Sequence, residues 1–282
     1  MARKPDAAAL ELIAHKEKMD AIWAKDCWRW MCQMVLTKDE SAVPGQEGNV
    51  FPWPKHFTYL RDVLHVLETE PLVIIPKSRR MMISWLVATY FVWHARYHEN
   101  AALFWQSETE QKAAFIVDQR CKFIEENLRR KEFRQPIKTI KTKQGLVGRI
   151  TYPNDSYIWA VAQGGDILRA YTATKIMMDE CEFQDESPDA MRALLPLVEH
   201  GAQAILVSSS NGPIGVMAEL CRDVGFTSWK DIDTIAKAPK GGADAATATI
   251  STANDVLEST GATQPMESAV GSAGPASQPM VR

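Results

Sequence analysis

Apolar positions change their period along this chain. Near the start, Leu10, Ile13, Met19, Trp23, Trp30 and Met34 recur at near-helical spacing and predict one long amphipathic helix. Residues 41–49 are polar with two glycines and a proline, which predicts a loop. Beyond it, short apolar runs alternate with helical stretches. Strands are predicted at 72–75, 101–105, 175–178 and 204–207, and helices at 57–67, 84–97, 108–130 and 188–200. Between 137 and 168, glycines, an Asn-Asp pair and alternating apolar residues predict a β-meander. Short apolar strands separated by helices imply an α/β fold, a mainly parallel sheet with helices on both faces. In such sheets ligands bind at the carboxyl ends of the strands.

Composition divides the chain. All nine tryptophans lie between Trp23 and Trp229, and no Trp, Tyr or Phe follows Trp229. From about Ala238 the chain is rich in Ala, Thr, Ser, Gly and Pro, too little apolar surface to offset the entropy of ordering. The expected organisation is therefore a folded domain over 1–225, with a helical segment over 1–50, and a disordered tail over 226–282. Lys and Arg number 32 against 35 Asp and Glu, so any contact with nucleic acid must come from a local patch. The five cysteines form no CxxC pair, which disfavours structural zinc and suits a reducing compartment. No signal peptide and no membrane span is expected from the apolar runs, and none of the predicted strands precedes a GxGxxG, which disfavours a dinucleotide enzyme.

Three predicted strand ends carry polar residues. The first runs Lys77-Ser78-Arg79-Arg80-Met81-Met82-Ile83-Ser84: a basic turn, then a hydroxyl opening a helix. Phosphate binding needs backbone N–H groups at a helix N-terminus, a cation for the β- and γ-phosphates, and Ser or Thr for Mg²⁺. All three are offered, although Met82 and Ile83 stand where a phosphate loop usually has Gly-Lys. The second ends in Asp179-Glu180; such carboxylates hold Mg²⁺ and polarise an attacking water in nucleotide hydrolases. The third ends in Ser208-Ser209-Ser210-Asn211-Gly212, hydroxyls and an amide able to sense a γ-phosphate. Each alone also suits a solvated turn, an acidic cap or a plain loop. Their order, with about 100 and then about 30 residues between them, is far more specific.

In this order the sequence resembles the ATPase domain of the large terminase subunit of tailed bacteriophages, from about Phe51 to Cys221. One branch of that family carries its loop lysine early, in a K-S-x-R-x-x-x-S pattern that Lys77 to Ser84 matches. The resemblance implies a P-loop NTPase-like fold of the ASCE/RecA type. It implies Lys77, with Ser78 and Arg79 beside it, on the phosphates of ATP, Ser84 and Asp179 on Mg²⁺, Glu180 as catalytic carboxylate and Arg80 as charge-stabilising arginine. It also places Ser209 and Asn211 in a coupling motif and puts Trp53 and His56 where the family binds adenine. Implied partners are double-stranded DNA bound without sequence preference, a portal protein, a small terminase subunit, and copies of the chain in a homo-oligomeric ring. The implied location is the host cytoplasm.

Between Arg120 and Arg149 ten basic residues face three acidic ones, a candidate surface for the DNA backbone. The usual second domain of large terminases, an RNase H-like nuclease, needs about 200 residues and clustered carboxylates. Only 61 residues follow Cys221. No nuclease activity is expected of this chain, and a truncated gene or half of a split terminase is the expected context. Two readings stay open beside the motor: a degenerate fragment that binds nucleotide or partner without turnover, and a helicase-type ATPase.

Overall fold

A computed structural model describes residues 7–39 and 49–209, together with 217, 220 and 221. The expected tail and Asn211 lie outside the described residues. The helices are α1 (Ala7–Trp23), α2 (Cys27–Met34), α3 (Thr58–Thr69), α4 (Ile83–Tyr97), α5 (Glu110–Ile116), α6 (Phe123–Glu126), α7 (Asp166–Ala170) and α8 (Ser187–Glu199). The strands are β1 (Leu36–Lys38), β2 (Val50–Pro52), β3 (Leu72–Pro76), β4 (Ala102–Gln106), β5 (Lys138–Lys141), β6 (Val147–Thr151), β7 (Tyr157–Val161), β8 (Lys175–Asp179) and β9 (Gln203–Ser208).

Seven strands form one sheet in the order β3-β9-β8-β4-β7-β6-β5, beside a small antiparallel β1–β2 ribbon. From β3 to β7 every pairing is parallel; β7, β6 and β5 pair antiparallel. The parallel strands alternate between two apolar cores. Leu103, Trp105, Met177, Ile205 and Val207 join the core around α4, while Phe104, Ile176, Met178, Ala204 and Leu206 join the core against α8. A strand apolar on both faces must be covered on both, and this one is. The architecture is the α/β, P-loop-like one expected from the sequence.

Three local expectations are corrected. The long N-terminal helix breaks at Ala24–Asp26, because Asp26 accepts a hydrogen bond from the Arg29 N–H at 2.8 Å and caps a new helix. Leu10 and Ile13, expected on its buried stripe, are 53% and 49% exposed. The helix expected over 108–130 begins at α5, widens into a π-turn over Val117–Lys122 and ends with α6, where Asn127 turns back to bond Phe123 O. The meander stops at Val161; Gly164, at φ +104°, makes a turn few other residues adopt, and α7 follows.

One buried ion pair joins α4 to the α5–α6 segment. Arg96 Nη1 donates to both Glu125 oxygens at 2.6 and 2.8 Å, Arg96 Nη2 to Phe133 O, and Glu125 also accepts the Gln135 N–H. Both side chains are 1% exposed. Removing one partner leaves a buried charge uncompensated, so Glu125→Ala is expected to lower stability by about 3–5 kcal/mol. An Arg96→Met/Glu125→Leu double variant should recover most of that loss in urea unfolding. If the single variant loses under about 1 kcal/mol, the pair is not the clamp described here.

Candidate active site

Three adjacent parallel strands bring their carboxyl ends to one level, with Pro76 opposite Ser208 and Asp179 opposite Val207. The Lys77 N–H extends the pairing to Ser208 O at 2.9 Å. Lys77 Nζ meets Glu180 Oε1 at 2.7 Å. Glu180 Oε2 accepts the Ser209 N–H at 2.8 Å and the Ser209 hydroxyl at 2.9 Å, with the Ser208 hydroxyl at 3.4 Å. One carboxylate thus ties together all three strand ends singled out in the sequence. Burial alone would raise the Glu180 carboxyl, but the bonds from Lys77 and Ser209 outweigh it and hold it below the usual carboxylate range.

The turn from β3 to α4 contains no glycine. Arg80 (φ 65°) and Met82 (φ 55°) take the left-handed backbone that glycine would supply, as does Glu180 (φ 51°). Each such residue costs about 1–2 kcal/mol. The Tyr59 hydroxyl donates to Met81 O at 3.1 Å and pins the turn from α3. Ser84 sits in the first turn of α4, where backbone N–H groups lack intrahelical partners.

A cavity of about 950 Å³ opens over these groups. Lys77, Arg79, Arg80, Ser84, Asp179 and Glu180 line it, and so does Ser209. Ser78 is exposed and Trp53 and His56 stand elsewhere, none of them lining the cavity. Trp53 is 2% exposed and packs edge-on to Trp28, so it has no free face for a base. The His56 ring leans on Phe57, 4.2 Å between centroids. From that stretch of sequence Phe51 and Phe57 line the cavity instead, with Trp85 and Phe183 as its other aromatic residues. Composition marked that stretch, but only packing decides which rings are left open. Arg120 also lines the cavity, although the sequence counted it with the basic run.

Several members of that run already have partners. Lys122 pairs with Glu126, Arg130 with Glu132, Arg134 donates to Leu128 O, and the Arg149 guanidinium lies 4.0 Å from the Tyr157 ring centre. Lys138, Lys141 and Lys143 are exposed along β5 and the turn after it.

Asp179 is 8% exposed, and its Oδ1 is buried without a hydrogen-bond partner. Burial lifts its carboxyl to about 6, against the pull of Arg120 and Lys77. A buried, unmatched carboxylate oxygen beside a Ser hydroxyl in one cavity fits a hard divalent cation. Mg²⁺ commonly takes one or two carboxylates and leaves its other positions to phosphates and water. No cluster of three or more His, Cys, Asp or Glu suited to a metal occurs among the described residues.

Lysine, hydroxyl and paired carboxylates thus meet in one cavity at the parallel strand ends of an α/β sheet. No protein-family model matches the chain. Among solved structures its neighbours are phage large terminase ATPase domains. The fold is similar to that of the large terminase of bacteriophage HK97, with TM-score 0.52 and 12% identity, over 72% of this chain and 41% of that one. It also resembles the large terminase ATPase domain of Thermus phage P74-26, with TM-score 0.45 and 15% identity, over 59% of this chain and 72% of that one. The chain thus spans less than half the length of the HK97 protein. At these identities the similarity establishes the fold.

The raised Asp179 carboxyl has a consequence for stability. The folded chain keeps this proton up to about pH 6, whereas the ordinary value is 3.8, so stability falls as pH rises through that window and stays lower above it. Without cation, Asp179→Asn should therefore melt above the parent at pH 7–8, by about 1–3 kcal/mol, and match it near pH 4. A variant less stable than the parent at pH 8 would show that the buried charge is already compensated.

Proposed function

We propose that the chain is an ATP-hydrolysing motor domain, over about 1–225, of a phage terminase large subunit that drives viral DNA into a procapsid. The observation that carries this is the meeting of Lys77, Ser84, Asp179 and Glu180 at adjacent parallel strand ends in one cavity. Lys77 and the N–H groups at the start of α4 hold the phosphates. Ser84 and Asp179 hold Mg²⁺, which when bound neutralises charge on the phosphates. Glu180 orients the attacking water, and Arg80 stabilises charge on the transferred group, an effect worth about 10³–10⁵ in rate. Phe51 and Phe57 offer the base an aromatic wall in place of Trp53 and His56. Incoming phosphate competes for Lys77 and thereby releases Glu180 Oε1 for its water. Ser209, bonded to the other Glu180 oxygen, reports this to the segment reaching Asn211.

Double-stranded DNA bound without sequence preference, a portal, a small terminase subunit and further copies in a ring are the partners this reading supplies, in the host cytoplasm. No helix among the described residues is long and apolar enough to cross a membrane. A nuclease lies outside this assignment.

With the full chain, DNA and Mg²⁺-ATP, Lys77→Ala is expected to lose nucleotide binding. Glu180→Gln should keep binding and lose about 10²–10⁴ in kcat. At ligand near 100 Kd the parent should gain about 2.7 kcal/mol in a thermal melt, absent in Lys77→Ala. Binding without DNA-stimulated turnover would leave a nucleotide-binding fragment, and parent-like turnover in both variants would sink the site assignment.

A further inference from the structure

Arg120 was counted in the sequence with a basic run, yet its surroundings belong to the nucleotide site. It lies in the π-turn Val117–Lys122, between the buried Val117 and Cys121. Such widened turns inside α-helical segments frequently mark functional positions. The guanidinium stands 5.7 Å from the ring centre of Trp85, the residue after Ser84 in α4. Trp85 is 6% exposed and edge-packed on Phe123, so the platform under the guanidinium is itself fixed. Arg120 lines the same cavity as Lys77, Arg80, Ser84 and Asp179. In the strand order β3-β9-β8-β4, Lys77 follows β3, two strands from β8, while Arg120 follows β4, the neighbour of β8 on its other side. The two cations therefore reach Asp179 from segments flanking its strand, and both lower its carboxyl, Arg120 foremost.

We infer that Arg120 contacts the terminal phosphate of ATP within its own chain, as a cation separate from Lys77 and Arg80. This rests on the ATP-site reading above. The guanidinium fork suits phosphate oxygens, and the cation–π contact with Trp85 places it before ligand arrives, which limits the entropy lost on binding. A merely structural Arg120, neutralising Asp179, would serve every nucleotide alike. A terminal-phosphate contact distinguishes triphosphate from diphosphate.

The test is calorimetric titration of the full chain with AMP-PNP and with ADP, both with Mg²⁺, for parent, Lys77→Ala and Arg120→Gln. Arg120→Gln is expected to lose about 10–100-fold in AMP-PNP affinity and less than about 3-fold in ADP affinity. Equal losses for the two ligands, or no loss, overturn the inference while leaving the site intact, provided the parent binds and Lys77→Ala does not. A parent that binds neither nucleotide overturns the ATP-site reading and this inference with it. Should Arg120→Gln fail to fold, Arg120→Lys keeps the charge and loses the fork, and the triphosphate-selective loss should still appear, at about 3–10-fold.

Discussion

Helix α4 leaves almost no side chain in solvent: Ile83 and every residue from Trp85 to Arg96 are buried. Large apolar side chains contribute roughly 1.5–3 kcal/mol each on burial, so packing on all sides fixes where this helix starts. No side-chain cap is needed at its N-terminus, and Met82 there supplies none. On the other side of the turn, β3 is fixed by its pairing with β9 from Leu72 to Pro76. Residues 77–82 must join two immobile ends. The left-handed backbone of Arg80 and Met82 follows from that short path, and so does the aim of the N–H groups that precede Ser84.

The site is costly where the cores are favourable. Three non-glycine residues at the strand ends and in the turn, Arg80, Met82 and Glu180, hold left-handed backbone. Asp179 keeps a carboxylate oxygen buried and unmatched. Left-handed backbone at these positions and the unmatched Asp179 oxygen meet at one cavity, a local cost that a bound ligand would offset. A cation at Asp179 and phosphates against Lys77 would relieve both charge imbalances together, which makes ligand binding and local stability a single equilibrium.

The fold was legible because both of its periods were. Runs such as 72–75 and 204–207 are apolar at every position, so they had to be strands covered on both faces. That Lys77, Ser84, Asp179 and Glu180 would meet was legible because the ends of adjacent parallel strands lie side by side. What was hidden depends on contacts distant in sequence. The apolar stripe continues across 24–26, and only the Asp26 cap breaks the helix. Trp53 and Phe57 sit four positions apart in one aromatic stretch, yet Trp28 covers the first, which is 2% exposed, while the second stays 38% exposed. Arg120 looked like one charge in a run because counting ignores direction, and the π-turn changes that direction. Asp166–Ala170 read as the end of a meander because the turn at Gly164 is set by backbone angle rather than by hydropathy.

The Glu180 network also limits how a chemical event could leave the site. Its carboxylate binds Lys77 through one oxygen and Ser208 and Ser209 through the other, a side-chain link between the ends of β3 and β9 that runs beside their backbone pairing. Beyond that point the chain is tied back to the acidic strand end again. The Met217 N–H donates to Glu182 at 2.9 Å, Met217 Sδ lies 3.9 Å from Cys181 Sγ, and Leu220 is 3% exposed in the core beside α8. Residues 180–182 thus bear on both Lys77 and Met217 beyond β9. In a nucleotide-driven machine, these residues are a polar route by which a change at the strand ends could reach that segment. Hydrogen bonds and ion pairs have discrete partners to exchange, and so can carry a two-state signal where packing alone cannot.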